Sequence, residues 1–463
     1  MKRITGLFAV YFLATSLITF IPSCSPKHRE HEEFEENDKY DGPDKAMEFE
    51  WERTHDLSTG KIPYDRLLAA IKETKVAKLS APDNITTLSW IERGPNGDFY
   101  GPQGNSRPNN EQTAGRIRAV MVDSSDVTHR TVWAGGVDGG LWKTTNIAAS
   151  PANWTLVNDF LSNLAISAIC QDPRPGFNNI MYFCTGESFR NADAVRGVGV
   201  FKSIDGGATW NYLSSTSAYI LCTRIVCDYQ GNVYLATRNT GLLRSIDGGA
   251  SWTVITPNGV SSSICDLEIS STAAPARLHM VTGIGSTQTY RYTDIPATVT
   301  SSSGWNAPTQ PFPSYTERCE IAVSGNVLYA LPVNNATNNV PTIYKTTDGG
   351  DTWNATPVQP GGGTWASGQG WYSLSAGINP SNSNEFICGG LDCYKTTDGG
   401  SSWTKISTWV GTSGQYVHAD QHNIQWWDGG NKLLFACDGG VHFSSDGGTT
   451  IRDRNKGLRI KQF

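Results

Sequence analysis

Ser203-Ile204-Asp205-Gly206-Gly207-Ala208-Thr209-Trp210 is the stretch on which the reading of this 463-residue chain turns. The same order of hydroxyl, acid, paired glycines, hydroxyl and Trp returns at Ser245 to Trp252 around Asp247. It returns again at Thr346 to Trp353 around Asp348 and at Thr396 to Trp403 around Asp398. A copy at Ser444 to Ile451 keeps Asp446 and replaces the Trp with Ile451. Two weaker copies fill the gaps: Lys143-Thr144-Thr145-Asn146 leads to Asn153-Trp154, and Tyr292-Thr293-Asp294 leads to Gly304-Trp305. Glycines supply positive φ for a tight reversal. The carboxylate accepts backbone N–H groups across the turn, and the Ser or Thr hydroxyl adds a further bond. The Trp then opens a strand with a large apolar surface to bury. Every part of the pattern is a hairpin brace, so its acids read as structural.

Positions 146, 205, 247, 294, 348, 398 and 446 stand 59, 42, 47, 54, 50 and 48 residues apart. A period near 40–50 residues with strands between is the mark of propeller blades. Between the turns lie 4–8-residue runs rich in Val, Ile, Tyr and Trp, bounded by turn residues. Residues 222–256 show the order best: Cys222–Asp228, Asn232–Thr237 and Gly241–Ser245 precede the turn, and Trp252–Thr256 follows it. Further inner strands are expected at Ile117–Val122, Ile166–Gln171, Asp266–Ser270, Glu320–Val323, Tyr372–Ile378 and Asn423–Trp427. The expectation is an all-β, seven-bladed propeller of four-stranded antiparallel blades over residues 88–463, with a short helical or disordered N-terminal extension. A propeller absorbs 350 residues or more as one unit.

Ahead of it, Lys2 and Arg3 precede an apolar run from Ile4 to Ile21 that ends at Ile21-Pro22-Ser23-Cys24. This is the charge, apolar core and small-residue order of an export signal over residues 1–24. A Cys directly after a small residue resembles the bacterial lipobox, which implies lipidation of Cys24 and a membrane association through that anchor alone. Plain signal cleavage and a retained anchor are the alternatives. Residues 25–60 hold 12 acids against 5 bases, a balance of −7 that exceeds the net charge of −6, and the rest of the chain is near neutral. That stretch reads as a disordered acidic tether. Its run Glu30, Glu32, Glu33, Glu35, Glu36 resembles the surface-export tags of Bacteroidetes lipoproteins. Residues 61–87 read as a helical lead-in, with an amphipathic helix from Tyr64 to Lys75. Thr87–Ile91 reads as a strand suited to pairing with the last blade and closing the ring. Gly457 to Phe463 reads as a strand that stops abruptly, as if the chain continued. No basic face suits nucleic acid. Of ten Cys, nine remain beyond Cys24. Cys170, Cys184, Cys227, Cys265, Cys319, Cys388 and Cys437 lie in apolar strand patterns as small buried hydrophobes. One or two disulfides are compatible with export. No Cys-x-x-Cys occurs, so neither a structural zinc nor any other cofactor is indicated.

From about Trp90 to Phe463 the chain resembles the Asp-box propellers of the sortilin and xyloglucanase superfamily, and most closely the bacterial secreted proteins called sortilin-like or BNR-repeat proteins. The carrying phrases are Ala114-Gly115-Arg116-Ile117-Arg118-Ala119, Gly139-Gly140-Leu141-Trp142-Lys143-Thr144-Thr145-Asn146, Thr185-Gly186-Glu187, Gly368-Gln369-Gly370-Trp371-Tyr372 and His418-Ala419-Asp420-Gln421-His422. The resemblance implies two functions: a surface propeller that binds protein or glycan, or a glycoside hydrolase or fragment of one. In the xyloglucanases an Asp before Gly-Gly, at the end of the second strand of the first blade, is an acid/base residue. Asp138-Gly139-Gly140 falls at that point, but Gly136-Val137 replaces the family's Arg-Thr, and the partner acid belongs to a second propeller.

Glu187 ends a second strand before a polar loop, where one propeller face builds its site, and is the candidate second carboxylate. A hydrogen bond to loop backbone is its structural alternative. His418, Asp420 and His422 look like a metal trio. In an extended strand, however, i and i+4 stand about 13 Å apart, so a polar lining of the central channel is the alternative and no metal is assigned. Trp365, Trp371, Tyr372, Trp409 and Tyr416 suit stacking on a sugar ring or peptide, against packing between blades. A sialidase would need converging Arg residues and a Phe-Arg-Ile-Pro motif; Phe189-Arg190 lacks the Ile-Pro. The sequence assigns no oligomeric state.

Overall fold

The computed structural model describes residues 43–60, 63–80, 111–270, 276–410 and 414–460. Seven antiparallel sheets follow one another along the chain, each built from one contiguous segment. Blade 1 holds β1 (Ile117–Val122), β2 (Val132–Gly136), β3 (Leu141–Thr144) and β4 (Thr155–Leu156). Blade 2 holds β5 (Ile166–Gln171), β6 (Met181–Thr185), β7 (Val200–Ser203) and β8 (Asn211–Tyr212). Blade 3 holds β9 (Cys222–Cys227), β10 (Val233–Thr237), β11 (Leu242–Ser245) and β12 (Thr253–Val254). Blade 4 holds β13 (Ile264–Ser270), β14 (Arg277–Thr282) and β15 (Tyr290–Thr293). Blade 5 holds β16 (Cys319–Ser324), β17 (Val327–Pro332), β18 (Tyr344–Thr346) and β19 (Asn354–Ala355). Blade 6 holds β20 (Ser375–Asn379), β21 (Asn382–Gly389), β22 (Cys393–Thr396) and β23 (Thr404–Lys405). Blade 7 holds β24 (Gln421–Trp427), β25 (Lys432–Cys437), β26 (Gly440–Ser444) and β27 (Arg452–Asp453). The first strands β1, β5, β9, β13, β16, β20 and β24 touch in succession, and β24 returns to β1. The architecture is therefore the seven-bladed propeller that the repeat spacing implied.

Most strand bounds shift by one or two residues, and two elements depart further from the sequence reading. The fourth strand of blade 4 is reduced to a bridge between Tyr292 and Asn306. Asp294 does not brace that turn: its carboxylate pairs with Arg277, Nε to Oδ1 at 2.6 Å, so the local bonds that shape the other hairpins are missing there. The inner strand of blade 6 starts at Ser375 rather than Tyr372. Residues Gln369 to Ser373 form a hydrogen-bonded turn in which Tyr372 and Ser373 both donate to the Gln369 carbonyl.

The repeated turns hold as their chemistry requires. In blade 2, Ser203 Oγ donates to Asp205 Oδ1 at 2.8 Å and accepts from Gly207 N at 2.9 Å. Thr209 N donates to Asp205 Oδ1 at 2.9 Å. The turns at Asp247, Asp348, Asp398 and Asp446 repeat the first of these bonds. Gly207 has φ of 81°, and a Cβ there would lie 2.2 Å from the Trp133 ring of blade 1, so only glycine fits.

The Trp that ends each turn goes between blades. Seven apolar clusters lie at the seven blade interfaces. Six contain the turn's aromatic, namely Trp154, Trp210, Trp252, Trp305, Trp353 or Trp403, and the seventh contains Ile451. Each aromatic withdraws on the order of 200 Å² from water, so the motif joins turn geometry to blade packing.

Among the described residues, ring closure between blades 7 and 1 uses loop contacts and no shared strand. Ala114 N donates to Gly439 O at 2.8 Å, Gln112 N to Asp453 Oδ2 at 3.0 Å, and Asp453 N to Glu111 Oε2 at 2.6 Å. Buried Ile460 seals the same seam against Gly115 and Gly139, where a Cβ would come within 2.6 and 2.7 Å of it. The strand expected at Thr87–Ile91, the signal segment 1–24 with Cys24, and residues 461–463 lie outside the described residues.

The N-terminal unit forms two helices, α1 (Pro43–Thr54) and α2 (Tyr64–Ser80). α1 falls inside the stretch read as a disordered tether. Pro43 stands at its first position, where the missing N–H costs nothing, and Lys45, Ala46, Met47 and Glu48 are good helix formers. α2 runs five residues past the expected end at Lys75. Leu67 and Leu68 are 43% and 47% exposed. No helix among the described residues is long and apolar enough to cross a membrane.

Candidate functional site

Strand direction alternates within each blade, so the starts of the first strands and the turns after the second strands share one face, here called proximal. The Asp-bearing turns occupy the opposite, distal face. At the proximal end the first strands, or the residue just before them, break their apolar pattern with charges two residues apart, a spacing that aims both the same way along extended chain. Such pairs are Arg116 and Arg118, Asp266 and Glu268, and Arg318 and Glu320. Several of these strands also skip a residue near their start. Pairing jumps over Arg118 in β1, Ser167 in β5, Thr223 in β9, Cys265 in β13 and His422 in β24. Such bulges re-aim a side chain.

The result is a buried ion network. Arg116 Nη1 donates to both Glu187 oxygens at 3.1 and 3.2 Å, Nη2 to Asp193 Oδ2 at 2.8 Å, and Nε to Asp438 Oδ1 at 3.2 Å. Arg118 Nε donates to Glu187 Oε1 at 2.6 Å. Asn191 Nδ2 donates to Glu187 Oε2 at 2.7 Å. Asp438 also accepts from His422 Nε2 at 2.6 Å and from the Tyr372 hydroxyl at 2.9 Å. Rings and cations interleave: the guanidinium carbons of Arg116 and Arg118 lie 5.2 and 5.1 Å from the Tyr372 ring centre. Those of Arg118 and Arg318 lie 4.7 and 4.0 Å from that of Phe189. Four blades thus meet at one cluster.

Burial and pairing split the titrations. Burial alone would raise the Asp438 carboxyl, but His422, Arg116 and Arg118 outweigh it and hold the group well below the usual carboxylate range. Burial, then Arg118, lowers the His422 imidazole to about 3, so the ring is neutral. Burial, then Asp438, raises the Tyr372 hydroxyl far above its ordinary value. Asp420 behaves differently. Burial and the neighbouring Asp438 raise it to about 6, and its φ of 65° is left-handed for a non-glycine residue. Asp420 Oδ1, Arg118 Nη2 and His422 Nδ1 are buried polar atoms without a hydrogen-bond partner among the described residues. A bound polar group or ordered water is what such atoms ordinarily require.

Below this cluster a second layer stitches blades 3 to 6. Arg224 pairs with Asp266 at 3.0 Å and with Glu268 at 2.5 Å. Arg318 pairs with Glu320 at 2.8 Å and donates to the carbonyls of Tyr372 and Leu374, both at 2.7 Å. Burial pushes the Glu268 and Glu320 carboxyls up. Towards the distal side the channel widens into a cavity of about 400 Å³.

The residues singled out from sequence separate accordingly. Glu187 is a member of the network, held by two arginines and Asn191; loop backbone is not what fixes its carboxylate. Asp138 lies exposed on the β2–β3 turn beside the glycines that Ile460 covers. It and Glu187 therefore occupy opposite environments. His422, Asp420 and Tyr372 join the network. His418 points its Nδ1 at the Ala419 carbonyl, 3.1 Å away, and packs on Gly439. Among the described residues no three His, Cys, Asp or Glu side chains are grouped to hold a metal.

The aromatic platform is smaller than expected. Trp365 is 3% exposed within the cluster between blades 5 and 6, and Tyr416 and Tyr372 are buried. Trp371, half-buried against Tyr372 with centroids 5.4 Å apart, and Trp409, 39% exposed, remain accessible. Arg116, Arg118, Asp438 and Asp193 were missed as site residues. For the two arginines the signal was present: charges at i and i+2 at the start of a strand otherwise built for burial.

No known family pattern matches the chain, and no curated protein matches it. Among solved structures, it is similar to a GH74 xyloglucanase from Xanthomonas campestris at 16% identity and a TM-score of 0.53, over 73% of this chain and 53% of that one. It is similar to an ancestral GH74 enzyme at 16% identity and a TM-score of 0.53, over 75% of this chain and 47% of that one. YCF48 from Cyanidioschyzon merolae aligns at 13% identity with a TM-score of 0.47, over 72% of this chain and 96% of that one. The chain spans about half the length of the two GH74 enzymes. At such identities the likeness is one of fold, and by that fold the chain is a β-propeller.

Proposed function

We propose that this chain is an exported, surface-associated propeller that binds a glycan or peptide at its proximal face and does not hydrolyse it. The observation that carries the reading is that buried polar atoms of Arg118, Asp420 and His422, side chains of the aromatic and ionic cluster, have no hydrogen-bond partner among the described residues. A few fixed polar groups beside an aromatic surface are the elements of a selective polar-ligand site. Glycoside hydrolysis needs two carboxyl groups in complementary roles. Here Glu187 and Asp438 are committed to ion pairs, and Asp138 is exposed rather than buried.

The test is a glycan array and a peptide library probed with the full chain, followed by a hydrolysis screen on whatever binds. Asp420→Asn and Trp371→Ala are expected to weaken binding about tenfold or more, roughly the loss of one charged hydrogen bond, with no turnover by either protein. Binding unchanged in both variants would sink the proposal. One observation favours the hydrolase reading: a carboxyl at about 6, as on Asp420, is suited to general-acid work. Turnover that is abolished in Asp420→Asn would establish that reading instead.

A further inference from the structure

At the wall of the distal cavity two thiols meet across a blade boundary. Cys170, near the end of β5 in blade 2, and Cys227, the last residue of β9 in blade 3, have their sulfurs 3.4 Å apart. Both line the cavity, together with Gln171, Arg224, Glu268 and Trp426. Cys170 is half-buried, while Cys227 is 7% exposed. A disulfide needs about 2.05 Å between sulfurs, so the approach required is about 1.4 Å, within reach of side-chain rotation.

The other cysteines are placed differently. Cys184 and Cys222 neighbour each other across the same two blades, but both are fully buried and outside the cavity wall. Cys437 donates to the Gly440 carbonyl at 3.6 Å, and Cys319 to the Glu320 carbonyl at 3.8 Å. Proximity to a second sulfur and access from a cavity coincide at Cys170 and Cys227.

We infer that Cys170 and Cys227 are an oxidisable pair that cross-links blade 2 to blade 3 by exchange with a low-molecular-weight disulfide entering the channel. In the first step the Cys170 thiolate attacks one sulfur of the incoming disulfide and forms a mixed disulfide, and one thiolate leaves. In the second step the Cys227 thiolate attacks the Cys170 sulfur and expels the other. The protein gives up two electrons and two thiol protons, and the reagent becomes two thiols. Burial and the neighbouring Cys227 keep the Cys170 thiol above its ordinary value, so exchange accelerates toward alkaline pH. The product closes a loop between positions 57 residues apart and adds a covalent tie between two inner strands whose blades are otherwise joined by apolar packing and hydrogen bonds such as Gly197 N to Ile220 O at 2.9 Å.

The experiment uses the full chain, reduced and then exposed to oxidised glutathione at mildly alkaline pH. Remaining thiols are alkylated, and the protein is digested with trypsin and Asp-N, which cut between Cys222 and Cys227 and between Cys170 and Cys184. The expected result is a Cys170–Cys227 cross-linked peptide and a thermal midpoint raised on the order of 5 °C. Cys170→Ser and Cys227→Ser should each lose both effects. Recovery of Cys170 and Cys227 as separate alkylated peptides would overturn the inference. So would a cross-link to other partners, or a glutathione adduct on Cys170 that never closes onto Cys227.

Discussion

The two faces of this propeller handle carboxylates in opposite ways. On the distal face the acids of the five braced turns, Asp205, Asp247, Asp348, Asp398 and Asp446, are near the surface, and their turn partners are two to four residues away. Bonds to Thr209 and Ser203 hold Asp205 at about 2, with Asp247, Asp348 and Asp398 close to the same value. On the proximal face Glu187 and Asp438 are buried, and their arginine partners stand 69 to 322 residues away in the chain. An exposed turn acid repeated around the ring shares the task of shaping hairpins. A buried acid at the axis depends on cations brought by other blades, and loss of one strands the rest in low dielectric.

That contrast sets the order of expected effects. Arg116→Met removes the cation shared by Glu187, Asp193 and Asp438, and should cost about 3–5 kcal/mol in urea unfolding. A loss under 1 kcal/mol would put the two faces on the same footing. Tyr372→Phe takes one buried donor from Asp438 and should cost about 1–2 kcal/mol by the same measurement.

Asp420→Asn tests the proximal face through pH. The fold raises this carboxyl from 3.8 to about 6, so the native state binds more protons than the unfolded chain between those values. Stability from this group is complete below about 4 and declines as pH rises through 6. The Asn variant should therefore melt on the order of 1–3 °C higher than the parent at neutral pH and equal it near pH 4. A difference independent of pH would show that the carboxyl is not perturbed. Asp348→Ala, on the distal face, should lower the midpoint by only about 1–2 °C, since its bonds are local and water replaces them readily.

The same difference explains what could be read from the sequence. The turn at Ser203–Trp210 is written in eight consecutive residues because its bonds span four, so it recurs visibly and fixes blade number. The network is assembled from residues 116, 187, 372, 422 and 438; neighbouring blades bring 116 to 187, ring closure brings in 372, 422 and 438, and apart from the charged spacing at Arg116 and Arg118 no local pattern announces it. Glu187, Tyr372, Asp420 and His422 were found as strand-end polar or aromatic residues, without their partners. For Trp365 and Tyr416 the sequence left stacking and inter-blade packing open, and both are buried, because an aromatic in a loop that folds back between blades has the composition of one that faces water. Blade 4 lost its fourth strand because Asp294 turned to Arg277, a competition between a long cation and backbone amides that spacing does not reveal.

The central claim is that the proximal face is held by long-range pairing of buried charges. The most direct test is a double-mutant cycle on Arg118→Met and Glu187→Gln, with urea unfolding of the parent, both single variants and the double variant. The account predicts a coupling of about 2–3 kcal/mol, the double variant being far more stable than the sum of the single losses implies. Additivity within about 0.5 kcal/mol would contradict it.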